Sequence, residues 1–282
     1  MQPEIEKVVK TVPLSEGWNH LKTATTTTKP LIEYGTKIYS QNSEDGILYR
    51  IFTEIGTTNK QVVEIGAGDG IECMAANLVL NHGFIGTLID GSNYWLNLGM
   101  KKYHEKDPEL LKKTRFVEAW VTKENVVDLL TQLEVPKEPD LFSLDIDGID
   151  YYVMKAIMDS GIISPRVLVV EYQDILGPTA TSTVVYNPQF NHTNYDCWEG
   201  PNYCGASLPA FIYLLHEKYA FVGCEAKGFN GFFVRRDCLT EKITLSEMTD
   251  ISPCFTIPKV IFGMEHRAKR TAHLEWVDVR TL

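Results

Sequence analysis

Two rhythms of apolar and polar positions take turns along this chain. Short apolar, often β-branched runs at 62–63, 87–89, 116–119, 141–147 and 166–171 read as buried strands. Between them, apolar residues recur at helical spacing. Ile47, Leu48, Ile51 and Phe52 give one such face, after Ser43 as a candidate N-cap and with Glu44 and Asp45 in the positive first turn. Residues 93–113 read as a second amphipathic helix. Val126, Val127, Leu129, Leu130 and Leu133 mark a third over 123–133, ended by Pro136 and Pro139, and 151–158 a fourth. Strand and helix in strict alternation predict an α/β fold, with a parallel sheet covered on both faces. Residues 207–218 then read as a helix, with 221–224 and 231–234 as a closing hairpin.

The first strand runs into VVEIGAGDG, residues 62–70, where Glu64 precedes Gly66, Gly68 and Gly70. Glycine reaches positive φ and lets a ligand approach the backbone. A strand that breaks into such a turn before a helix can cradle a cofactor. The spacing is GxGxG, not the GxGxxG of dinucleotide sites. Twenty residues beyond Gly70, Asp90 ends the second strand, where a carboxylate can accept both ribose hydroxyls of an adenosine cofactor. Asp90 can equally cap the helix that follows Gly91-Ser92. The acids at 145, 147 and 171 also fall at strand ends, where ligands of open parallel sheets bind.

Composition bounds the partners. A net charge of −10 over 282 residues argues against nucleic acid and against anionic membrane. No apolar run is long enough to span a bilayer, and MQPEIEKVVK has no signal-peptide core. None of the six cysteines forms a CxxC pair, which disfavours structural zinc and suits a reducing cytoplasmic setting. The sequon Asn191-His192-Thr193 carries little weight without a secretory signal. Residues 1–30, with threonines at 25–28, read as an N-terminal extension, and 31–238 as the folded domain. Residues 239–282 read as an extension packing on it, over a sheet edge or in a homo-oligomer. The segment 172–205 is irregular, but Tyr186, Phe190, Tyr195, Trp198 and Tyr203 argue for order and make a wall suited to a polar acceptor.

VVEIGAGDG resembles motif I of class I S-adenosylmethionine-dependent methyltransferases. Together with YSQNSEDGIL, LIDGS, FSLDIDGIDYYV and VVEY it resembles the FkbM-type branch of that class, over roughly residues 34–236. The resemblance implies a Rossmann-like, doubly wound, mostly parallel seven-stranded sheet with its last strand antiparallel. It also implies methyl transfer to oxygen, often on sugars, glycans or secondary metabolites. Carried over, Glu64, Gly66, Gly68 and Gly70 surround the methionine part of the cofactor, and Asp90 holds the ribose with Ser92 nearby. Ala119 and Trp120 neighbour the adenine, and Ser40, Gln41, Glu44 and Asp45 lie over the cofactor. Where the family commonly has Asp-Val-Glu-Gly, this chain has Asp145-Ile146-Asp147-Gly148.

Methyl transfer needs an acceptor oxygen held in line with the sulfonium methyl group and a route for its proton. Asp145 and Glu171 end adjacent strands in the predicted order, so their carboxylates can converge, with Asp147 joining them. Hard oxygen ligands of this kind suit Mg²⁺ or Mn²⁺. Asp145 can instead orient the amino group of the cofactor. His192, in the aromatic loop, is the candidate base. Two other classes fit parts of the pattern: an NAD-linked oxidoreductase, and a binding module for the same cofactor that has lost catalysis.

Overall fold

The computed structural model describes residues 30–239 and 244–282. The expected arm over 1–30 lies outside the described residues, Pro30 apart. Among them no helix is long and apolar enough to cross a membrane.

Seven strands form the central sheet: β1 (Gln61–Ile65), β2 (Ile85–Asp90), β3 (Thr114–Glu118), β4 (Leu141–Leu144), β5 (Val167–Glu171), β7 (Tyr219–Cys224) and β8 (Asn230–Arg235). Their order is β3-β2-β1-β4-β5-β8-β7. The first five run parallel, while β8 is antiparallel to both neighbours. This is the doubly wound, Rossmann-like sheet expected of the sequence. The helices are α1 (Glu44–Ile55), α2 (Met74–His82), α3 (Asn93–Lys106), α4 (Val126–Gln132), α5 (Asp150–Ser160) and α6 (Leu208–Leu215).

Period-two alternation divides the strands between two cores. Leu168 and Val170 of β5 face a core shared with α4, α5 and α6. Val167 and Val169 face the other, shared with α1 and α2. Both faces are therefore dry, as the near-continuous apolar strands require.

Several boundaries differ from expectation. The helix expected over 93–113 ends at Lys106, because Pro108 cannot continue it, and a 3₁₀ turn Pro108–Lys112 follows. Ser43 makes no side-chain cap. Glu44 instead turns back and accepts the N–H groups of Asn42 and Ser43, each at 2.8 Å. The irregular segment contains a short strand, β6 (Ser182–Val184). It pairs antiparallel with β9 (Trp276–Asp278), near the end of the chain. A helix α7 (Pro258–Phe262), a π-helical turn Gly263–Arg267 and α8 (Ala268–Thr271) lead to β9.

Candidate functional site

The carboxyl ends of β1, β2, β4 and β5 open into two neighbouring cavities. The first, about 550 Å³, is walled by Gly66, Gly68, Asp90, Ser92, Trp120 and His192, among others. The second, about 250 Å³, holds Glu171, Asp174, Lys259 and Arg267 in its wall. Gln41, Asp145 and Asp147 line both.

The glycine turn is built by close crossing of β1 and β4. Gly66 has φ +87°, and a Cβ there would lie 1.5 Å from the Asp145 carbonyl oxygen. Only glycine fits. Gly68, at φ +54°, faces open space instead. Its N–H donates to Asp90 Oδ2 at 2.7 Å, while Asp90 Oδ1 accepts the Ser92 N–H at 2.8 Å. Asp90 thus fixes the turn and still presents lone pairs at the cavity. Trp120 crosses under Gly91 and donates its indole N–H to the Pro188 carbonyl at 2.8 Å. That bond ties β3 to the aromatic loop.

Glu64 and Gly70, both expected at the cofactor, are used elsewhere. Glu64 is buried and points away from the cavity. Its carboxylate accepts the N–H groups of Met74 and Ala75 at 3.0 and 2.8 Å, capping α2. Burial pushes its pKa up to about 7. Gly70 packs against Leu88 and Phe116, and its carbonyl accepts the Tyr103 hydroxyl. Of the group before α1, only Gln41 reaches the cavities. Asp45 Oδ2 accepts the N–H groups of Ile38, Tyr39 and Ser40 and so shapes the loop that presents Gln41. Glu44 also receives the Asn230 amide at 3.0 Å. Sequence spacing gave these acids the right neighbourhood but not their direction.

Asp145, Asp147 and Glu171 converge, each offering an oxygen within 4.8 Å of the others. Burial holds all three carboxyls above their ordinary range; neighbouring carboxylates add to it for Asp145 and Glu171, while His192 opposes it for Asp147. Asp147 sits at φ +51°, unusual for a residue with a side chain. Asp150 holds it there, accepting the N–H groups of Ile146 and Gly148 at 2.8 Å each. The sequence alone leaves Asp150 as a surface residue, but it is buried. Its position at the first turn of α5, three residues past Asp147, is the signal that marks it. His192 Nδ1 lies 4.0 Å from Asp147 Oδ2.

The C-terminal segment was also unforeseen as part of the site. Arg267, buried, donates to Asn202 Oδ1 at 2.8 Å, to Asp174 at 3.1 Å and to the Pro201 carbonyl at 2.9 Å. It joins the π-helical turn to the aromatic loop across the outer wall of the second cavity.

The strand order and the crevice at the strand ends define a Rossmann-like fold with a two-chambered site. No protein-family model matches the chain, and no curated protein sequence matches it. Solved structures resemble it at a distance. The METTL16 methyltransferase domain matches with a TM-score of 0.45 and 12% identity, over 71% of this chain and 69% of that one. TrmK of M. capricolum, solved with S-adenosylhomocysteine, gives 0.39 and 9% identity, over 66% and 65%. The [4+2]-cyclase SpnF gives 0.39 and 13%, over 67% and 64%. Likenesses of this depth say nothing of activity.

Proposed function

We propose that this chain is an S-adenosylmethionine-dependent methyltransferase of FkbM type that methylates a hydroxyl oxygen of a small polar acceptor, such as a sugar, glycan or secondary metabolite. One observation carries the reading: a glycine turn locked to a strand-end carboxylate opens beside three converging acids in an adjoining cavity. A chamber of about 550 Å³ is of the size that encloses a cofactor. The open space over Gly68 and the lone pairs of Asp90 fit an adenosyl compound. Gly66, Gly68, Asp90, Ser92 and Trp120 would hold it, with Gln41 at the junction.

When bound, the cofactor supplies an electrophilic methyl group and leaves as a neutral thioether. The chain's own residues must orient the acceptor and take its proton. His192 is the base, with its Nδ1 4.0 Å from Asp147 Oδ2. Asp145, Asp147 and Glu171 fit a divalent cation by their donor chemistry. They are three hard-oxygen ligands, and no Arg or Lys forms an ion pair with them among the described residues. A cation such as Mg²⁺ or Mn²⁺, when bound there, would acidify an oxygen on it. A net charge of −10 suits a small acceptor better than nucleic acid.

The test is a thermal melt with S-adenosylmethionine, S-adenosylhomocysteine and NAD, since a ligand of the folded state alone raises the melting temperature. Stabilisation by the first two and not by NAD supports the reading. No stabilisation by either sulfur compound overturns it. A chain that binds both yet methylates nothing in a broad acceptor panel is a binding module. Chelator should lower turnover, and Asp145→Ala or Glu171→Ala should abolish the response to added cation. Turnover indifferent to chelator removes the metal from the scheme.

A further inference from the structure

The second cavity carries both signs of charge in its wall. Asp145 and Asp147 lie at its junction with the first cavity, with Glu171 beside them. Another part of its wall comes from a segment that does not line the first cavity: α7 and the π-helical turn deliver Lys259 and Arg267. Arg267 is fully engaged, and Asp174 balances its charge. Lys259 is exposed and has no such ion pair among the described residues. Its ammonium lies 4.0 Å over the Phe229 ring, and no carboxylate among the described residues comes within ion-pair reach.

The groups around Lys259 act on its charge in both directions. Partial burial, Arg267 and Lys227 push the ammonium towards losing its proton, against the pull of Asp174 and Glu225. Both of those acids already have partners. Asp174 binds Arg267, and Glu225 accepts the N–H groups of Lys227, Phe229 and Asn230. Glu199, the remaining acid of the wall, is exposed at the rim. A ligand that fills this cavity therefore meets both the carboxylates and, in the same wall, an ammonium that forms no ion pair among the described residues.

We propose that Lys259 forms an oxyanion subsite, and that the methyl acceptor is a small hydroxylated molecule bearing a carboxylate or a phosphate. This rests on reading the second cavity as the acceptor site of a methyltransferase. A lysine ammonium is a compact charge with three donors, and it makes strong charge-assisted bonds to either group. Lys259 forms no ion pair with any of the three carboxylates, so an anion anchored on it binds a group they do not already occupy. Such an anchor also turns the rest of the molecule, with its hydroxyls, towards the junction with the cofactor chamber. Binding a remote group in this way orients the reacting one. A volume of about 250 Å³ equals roughly eight waters at about 30 Å³ each, which is the scale of a single sugar ring with a substituent.

The test is calorimetry on the full chain with glucose, glucuronate, glucose 6-phosphate and inorganic phosphate, run with and without S-adenosylhomocysteine and with Mg²⁺ present. At least one of the two sugar acids should bind about tenfold more tightly than glucose, the usual worth of one charge-assisted bond. Lys259→Gln should erase that gap, and Lys259→Arg should keep most of it. Preference for glucuronate identifies a carboxylate, and preference for glucose 6-phosphate with competition by inorganic phosphate identifies a phosphate. The proposal falls if neither acid outbinds glucose, or if the gap survives in Lys259→Gln. Absence of S-adenosylhomocysteine binding would sink the methyltransferase reading separately, because the anion titrations are read without it as well.

Discussion

Gly66 and Gly68 stand two residues apart and do different jobs. A methyl group at Gly66 collides with the backbone of Asp145, so Gly66→Ala should cost more than about 3 kcal/mol in a urea titration and abolish cofactor binding. A methyl group at Gly68 meets only the chamber. Gly68→Ala should fold at a cost of about 1 kcal/mol, and its loss should appear instead in affinity for S-adenosylhomocysteine, at least about tenfold. Glu64 makes a second prediction. Its carboxyl titrates near 7 when buried, against 4.5 as its ordinary value. The folded state therefore binds a proton more tightly than the unfolded chain, and stability falls as pH rises from about 4.5 to about 7. The loss should total roughly 3 kcal/mol, and Glu64→Gln should flatten that part of the pH profile. An unchanged slope in the variant would remove Glu64 from the balance. The motif made all three residues visible in the sequence. The sequence did not show that Glu64 turns towards a helix end, because a strand residue's face depends on what packs over it.

At the scale of elements, the turn from β4 into α5 is the critical piece. Asp145 and Asp147 project from it, and Asp150 holds its backbone. Asp150→Ala leaves two N–H groups without their acceptor, which should cost about 2–3 kcal/mol. It should also weaken the stabilisation that Mg²⁺ or Mn²⁺ gives to the wild type, measured by thermal melt in chelator and in added cation. If the cation response is intact in that variant, the turn does not depend on Asp150. The strands themselves were legible: periodic apolar runs located all seven members of the sheet. Their ends were legible less well, since capping depends on single side-chain rotamers. Ser43 has the right residue type for a cap, yet Glu44 supplies the acceptor.

Over the whole molecule, the last residues of the chain complete the site. β9 pairs with β6, the Tyr203 hydroxyl donates to the Glu275 carbonyl at 2.6 Å, and the rings of Tyr203 and Trp276 meet at 4.8 Å. The aromatic loop that carries His192 is thus held from a distance of about seventy residues. Trp276→Ala should raise amide exchange across 186–204 while leaving β1, β4 and β5 protected. Uniform protection in wild type and variant would show that the loop holds itself.

The alternating α/β architecture, the glycine turn and the acids at the strand ends can all be read along the chain, because periodicity and local turn chemistry are properties of neighbouring residues. The sequence also put Asp145, Asp147 and Glu171 within reach of one another, since strand adjacency follows from the fold class. Folding in three dimensions is what brings Lys259 and Arg267 into the wall of the second cavity, turns Glu64 and Gly70 away from the first, and pairs β6 with β9. Those outcomes depend on contacts between segments far apart in sequence, and on which face of the sheet each side chain is driven to cover.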